Sequence, residues 1–198
     1  MEKVTRGYGF LEKFLAKKRA QMADRLIENN LRHGRILDIG CGSYLLFLKK
    51  VKFKKKFGLD KIITLKKKLK NQDIDLKNWD IEKKEHLPFD DNYFEVITML
   101  AIFEHLEPNK LISILKEIKR VLKKNGSFIM TTPAVWTDKI LKIMAKFNLA
   151  SRQEIKEHKN ICSQKKIWYI LGESGFDKKR IKMGCFEMGM NIWVKTKN

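Results

Sequence analysis

Apolar residues recur along this chain with two different spacings, and the switches between those spacings mark out its elements. Residues 10–30 carry Phe10, Leu11, Phe14, Leu15, Met22, Leu26 and Ile27 at roughly helical intervals, which predicts an amphipathic helix buried on that face. Gly34 ends the turn after it. Short apolar runs then alternate with helical patterns. Strands are predicted at Ile36–Ile39, Phe57–Asp60, Ile74–Trp79, Phe94–Met99 and Ser127–Thr131. Helices are predicted at Leu45–Val51 and Asn109–Lys123, the latter with Pro108 at its start, where the missing N–H costs nothing. A lysine-rich helix or loop occupies 62–70, and Asn125-Gly126 forms a turn before the fifth strand. This alternation implies a parallel sheet with crossover helices.

The C-terminal part breaks the alternation. Residues 134–175 read as two helical pieces, the second closed by Gly172 and Gly175. Strands near Arg180–Phe186 and Asn191–Lys195 then follow too closely for a crossover helix, so they must pair antiparallel. No internal repeat or low-complexity segment interrupts the chain.

The most informative segment is Arg35-Ile36-Leu37-Asp38-Ile39-Gly40-Cys41-Gly42, a strand running into an acid and two alternate glycines. Glycines there let the backbone turn sharply and bring its N–H groups close to a ligand. A dinucleotide loop needs a third glycine where this chain has Leu45, which weakens a nicotinamide dehydrogenase reading. An acid two residues before the first glycine is a poor neighbour for a pyrophosphate and a good one for an ammonium. The implied ligand carries a cationic amino group and a nucleoside.

The Asp38-x-Gly40-x-Gly42 pattern resembles the first motif of class I S-adenosylmethionine-dependent methyltransferases, with Tyr44 in place of a third glycine. The Leu87-Pro88-Phe89 loop, the Phe103-Glu104-His105-Leu106 segment and the Thr131-Thr132-Pro133-Ala134 strand end are similar to the methyltransferase type 11 group. The resemblance implies an α/β Rossmann-like class I methyltransferase fold. Its sheet would be mostly parallel and seven-stranded, with helices on both faces and an antiparallel C-terminal strand. It also implies a single methyltransferase domain over 1–198, with 1–33 an N-terminal helical segment and 134–166 a cap over the substrate.

The implied cofactor is S-adenosylmethionine. Asp38, Gly40, Cys41 and Gly42 form its loop. Asp60, at the end of the second strand, can accept from both ribose hydroxyls, and Lys61 adjoins it. Asp80 would accept from the adenine amino group, with Ile81 against the ring and Leu100 lining the crevice at the end of the fourth strand. For a hydroxyl acceptor His105 is the expected base and Glu104 its orienting partner, although adjacent helical residues do not face each other. Some quinone and RNA-end enzymes hold a metal with Glu-x-x-Glu-His. This chain has Ala101 at the first acid, so no metal is expected. Tyr8 and Trp136 could close over the site, and His158 beside Glu157 is a weaker candidate, all four readings competing with plain packing.

Composition adds less. The chain has 198 residues, 43% hydrophobic, which suits one ordinary core. Cysteines 41, 162 and 185 share no paired spacing, and no leader or membrane-length apolar run is present, so the expectation is cytoplasmic. The net charge of +20 is lysine-driven, with eleven lysines and one acid between Lys49 and Lys70. Such a surface could attract RNA, but the run holds no arginine for bidentate phosphate or base recognition, and compositional bias is favoured. The resemblance to the type 11 group implies a small-molecule or glycan-like acceptor, with a hydroxyl expected as the accepting group, and RNA, or cofactor binding without catalysis, as the alternatives.

Overall fold

The computed structural model describes residues 10–61, 73–137 and 159–198. The predicted element at 62–70, Tyr8, Glu157, His158 and most of the predicted cap lie outside the described residues. Seven strands form one sheet: β1 (Arg35–Ile39), β2 (Lys55–Asp60), β3 (Ile74–Asn78), β4 (Phe94–Leu100), β5 (Leu122–Pro133), β6 (Lys182–Phe186) and β7 (Asn191–Lys197). Their order is β3-β2-β1-β4-β5-β7-β6. Pairs among β1 to β5 are parallel, whereas β7 runs antiparallel to both β5 and β6. The C-terminal hairpin expected from the short spacing is thus present, inserted with β7 against β5.

The central strands are buried on both faces, which explains their near-continuous apolar sequences. One face sets Leu37, Ile39, Phe57, Leu59, Ile97, Met99, Phe128 and Met130 against α3 (Leu111–Val121) and α4 (Gln164–Glu173). The other sets Ile36, Val96 and Ile129 against α1 (Phe10–Leu26) and α2 (Leu46–Lys50). In α3, Leu111, Ile114, Leu115, Ile118 and Val121 form the buried stripe that its helical spacing demands.

Two local expectations need correction. Among the large residues of α1 whose side chains are described, none is fully buried: Leu15, Met22 and Leu26 are half-buried and Phe14 is exposed. The contact face of α1 is Ala20 and Ala23, continued by Ile27 just beyond the helix, and Phe14 is 47% exposed. Small side chains let the helix axis approach the sheet, and Phe14 instead packs beneath the ammonium of Lys18. Pro108 lies in a turn, and α3 begins three residues later at Leu111.

The Leu-Pro-Phe loop packs as its composition suggests. Phe89 meets Phe94 edge-on at 4.7 Å between centroids. Arg120 fastens the loop by donating to the Leu87 and Phe89 carbonyls and to Asp91.

Candidate active site

The site begins where β1 and β4 lie side by side. Asp38 is in register with Thr98, and the Thr98 hydroxyl donates to Asp38 Oδ1 at 2.7 Å. Strand alternation turns Asp38 away from the Leu37–Ile39 face and toward the α1–α2 side. The residue is 4% exposed. Burial raises its pKa to about 7, with the Thr98 hydrogen bond opposing that rise and the charge of Asp60 adding to it. A protonated acid can rest there uncharged, and an arriving ammonium would favour its ionised form.

After Asp38 the chain folds back over β2. The N–H groups of Gly40 and Cys41 both donate to the Leu59 carbonyl, at 2.7 and 3.2 Å. Gly42 N–H donates to Asp60 Oδ2 at 2.9 Å. Gly40 and Gly42 have φ of 74° and 64°, in the left-handed region that favours glycine. A Cβ on Gly40 would collide with the Ile102 side chain, whereas one on Gly42 would meet nothing within 4 Å. The loop therefore exposes clear backbone at Gly42, between the carboxylates of Asp38 and Asp60. Cys41 turns the other way. Its thiol is buried over Gly58, and that burial pushes its pKa up, so the side chain packs and only its backbone belongs to the loop.

Leu45, at the position of the missing glycine, also adopts a positive φ of 52°, although it is buried. Its side chain anchors the start of α2 in the core, which offsets a backbone strain on the order of 1–3 kcal/mol.

The remaining expected residues divide. The Trp79 N–H donates to the Asp60 carbonyl, which holds the end of β3, with Asp80 just beyond it, against the end of β2. Asp80 Oδ1 accepts from the Glu82 N–H, and its other oxygen lies 4.0 Å from Lys83, so the carboxylate also organises its own turn. Ile81 is half-buried against the core, Leu100 is half-buried at the end of β4, and Lys61 is exposed. A cleft of about 440 Å³ opens between the 81–87 segment and α3, and it meets the expected set only at Ile81.

Glu104 and His105 lie on a single 3₁₀ turn after β4, and they diverge. Glu104 is buried, and its Oε2 accepts from the Thr132 hydroxyl at 3.2 Å. Burial raises its pKa; the charges of His105 and of Arg19 on α1 oppose that rise, as does the Thr132 bond. The Glu104 carbonyl accepts from Lys159 and Asn160, tying the segment before α4 to this turn. His105 is half-buried. Sequence reading missed Thr98, which only the β1–β4 register reveals, and Arg19, whose helical neighbours gave no hint of a site. Among the described residues no three His, Cys, Asp or Glu side chains are grouped to hold a metal ion.

Residues 37–130 match the family model for a methyltransferase domain, a span running from the strand that carries Asp38 through β5. Over that span, just under half of its length, the chain is similar to the methyltransferase domain family. The solved structures agree on the fold. A SAM-dependent methyltransferase from Archaeoglobus fulgidus superposes with a TM-score of 0.62 at 18% identity, covering 94% of this chain and 99% of that one. A SAM-dependent methyltransferase from Thermotoga maritima gives 0.69 at 16%, with 94% and 90% covered. One from Mesorhizobium loti gives 0.65 at 14%, with 91% and 98% covered. No curated protein matches this chain in sequence. Among the described residues no helix is long and apolar enough to cross a membrane.

Proposed function

We propose that this chain is an S-adenosylmethionine-dependent methyltransferase that methylates a hydroxyl of a small-molecule or glycan-like acceptor, with its cofactor held between Asp38 and Asp60. The observation that carries the reading is the Gly42–Asp60 hydrogen bond, which fixes an acid beside a bare backbone loop while Asp38 waits, buried, on the adjacent strand. The fit to the cofactor is chemical. Asp38 meets the ammonium, Asp60 accepts from the ribose hydroxyls, and Gly40 and Gly42 permit close backbone approach. Cys41 contributes backbone only. Asp80, Ile81 and Leu100 border the adenosine, with Lys61 at the exposed rim.

The cofactor supplies a sulfonium methyl open to in-line displacement. The chain's own work is alignment, exclusion of water and removal of one proton. Methyl transfer from that sulfonium to an acceptor hydroxyl would leave the hydroxyl's proton to be taken up by a base of this chain. Glu104 and His105 are the groups assigned to that proton. Glu104 suits the task because burial makes its carboxylate a stronger base than an exposed one.

Incubation with methyl-labelled cofactor and a fractionated cell extract, RNA included, tests the reading. Label is expected on an oxygen of a low-molecular-weight product. Label appearing only in RNA would contradict it.

A further inference from the structure

Asp38 is placed where two different states are asked of it. In the empty chain, burial favours the neutral acid; beside an ammonium, it must be a carboxylate. The two states want opposite things from a neighbour. A carboxylate needs a donor, whereas a protonated acid needs an acceptor for its own hydrogen.

Thr98 can supply both. The parallel β1–β4 register sets its side chain beside Asp38, and the residue is fully buried, so water does not compete for its hydroxyl. Its Oγ1 lies 2.7 Å from Asp38 Oδ1 and 3.3 Å from the Leu37 carbonyl oxygen. A hydroxyl carries one hydrogen and two lone pairs, and the heavy atoms do not fix where that hydrogen points. With Asp38 ionised, the hydrogen points at Oδ1. With Asp38 protonated, the same Oγ1 accepts from the acid, and its hydrogen turns to the Leu37 carbonyl. Both states are hydrogen-bonded and no heavy atom has to move between them.

The charged groups around the pair keep the balance close. On β2, the charge of Asp60 favours the neutral acid. On the loop, both carboxylates and burial hold the Cys41 thiol protonated, so it adds no charge. On α2, Lys49 and Lys50 are exposed, and on α1 the charge of Arg19 acts on Glu104 and Glu187.

We infer that Thr98 is a positioning residue of the cofactor seat, its hydroxyl turning between the Leu37 carbonyl and Asp38 Oδ1 so that Asp38 rests neutral when empty and charged against an ammonium. This rests on the cofactor reading above. It adds a residue that acts through Asp38 and has no ligand contact of its own. With Oδ1 engaged by Thr98, Oδ2 is the oxygen that meets the ammonium, and the proton that Asp38 gives up goes to solvent.

S-adenosylhomocysteine is titrated calorimetrically into the full chain between pH 6 and pH 8, in buffers of different ionisation enthalpy. Wild-type affinity should climb with pH to about 7 and then level, because above that the seat is already charged. Thr98→Val removes the donor from which the charged form gains most. Its climb should therefore continue to pH 8, with affinity at pH 7 about tenfold lower and the proton release there approaching one per site. Thr98→Ser should restore the wild-type curve. Proton release in Thr98→Val equal to that of the wild type, with affinity either unchanged or lowered equally at every pH, would reduce Thr98 to packing and overturn the inference. So would a serine variant that behaves like the valine one. Thr98→Ala, read in the same way, replaces the valine variant if that chain does not fold. Failure of the wild type to bind S-adenosylhomocysteine would instead overturn the cofactor reading, and this inference with it.

Discussion

The backbone N–H of Gly42 donates to the Oδ2 of Asp60, joining the loop after β1 to the end of β2. This bond sets the distance between the bare loop and the carboxylate assigned to the ribose. Asp60→Asn retains a side chain of the same size but loses the charge-assisted bond and one acceptor for the ribose hydroxyls. S-adenosylhomocysteine affinity should fall by about 1.5–3 kcal/mol, roughly tenfold to more than a hundredfold. A calorimetric titration of the variant reads this directly.

Asp38 gives the cofactor-free chain a distinctive pH response. Its folded pKa of about 7 lies above its ordinary value of 3.8. Between those two values the folded chain keeps a proton that the unfolded chain releases. Its contribution to stability therefore declines as pH rises from about 4 through about 7 and is flat above. Asp38→Asn removes that decline, so without cofactor the variant should gain in melting temperature over the wild type between pH 5 and pH 8 and should melt higher than it at pH 8. Thermal melts at both values check the sign, and equal melting points at pH 8 would contradict the burial argument.

Cys41 and Gly58 are matched in size. A Cβ on Gly58 would stand 2.8 Å from the Cys41 Sγ and 2.7 Å from Leu76 Cδ2. Gly58→Ala should destabilise the fold by about 1–3 kcal/mol through overpacking. Adding Cys41→Ala should recover part of that loss. Urea unfolding of the two single variants and the double variant gives the coupling, and strict additivity would show that the thiol is not the obstacle.

Sequence reading found most of the frame, for identifiable reasons. Strands such as Phe94–Leu100 are buried on both faces, so their residues are apolar throughout and stand out from a lysine-rich background. The glycine loop was equally legible, because Gly40 and Gly42 occupy backbone conformations that few other residues accept. The buried face of α1 was not legible. Its contacts are made by alanines, whose size matters only beside a partner surface, and counting large apolar residues pointed to Phe14 instead.

The α1 correction has its own test. Ala23→Leu forces a large side chain into a contact that is fully buried and should destabilise by about 1–3 kcal/mol. Phe14→Ala should change stability by only about 0.5 kcal/mol, as at other exposed positions. Chemical denaturation of both variants decides between the two faces.

Glu104 is assigned to proton removal. Glu104→Gln preserves the size of the side chain and its Thr132 bond while abolishing its basicity. The expected result is a fall in kcat of about 10²–10⁴-fold, with S-adenosylhomocysteine affinity retained. A loss of affinity comparable to the loss of kcat would assign Glu104 to the architecture of the crevice.

The central claim is that the turn between Asp38 and Asp60 is the cofactor seat, and S-adenosylhomocysteine titrated calorimetrically into the full-length wild type tests it most directly. Run near pH 7 in buffers of different ionisation enthalpy, the titration should show one site and a proton released on binding, as the ammonium drives Asp38 to its charged form. That release should vanish in Asp38→Asn. No binding heat at millimolar ligand, or an unaltered affinity in both Asp38→Asn and Asp60→Asn, would contradict the account.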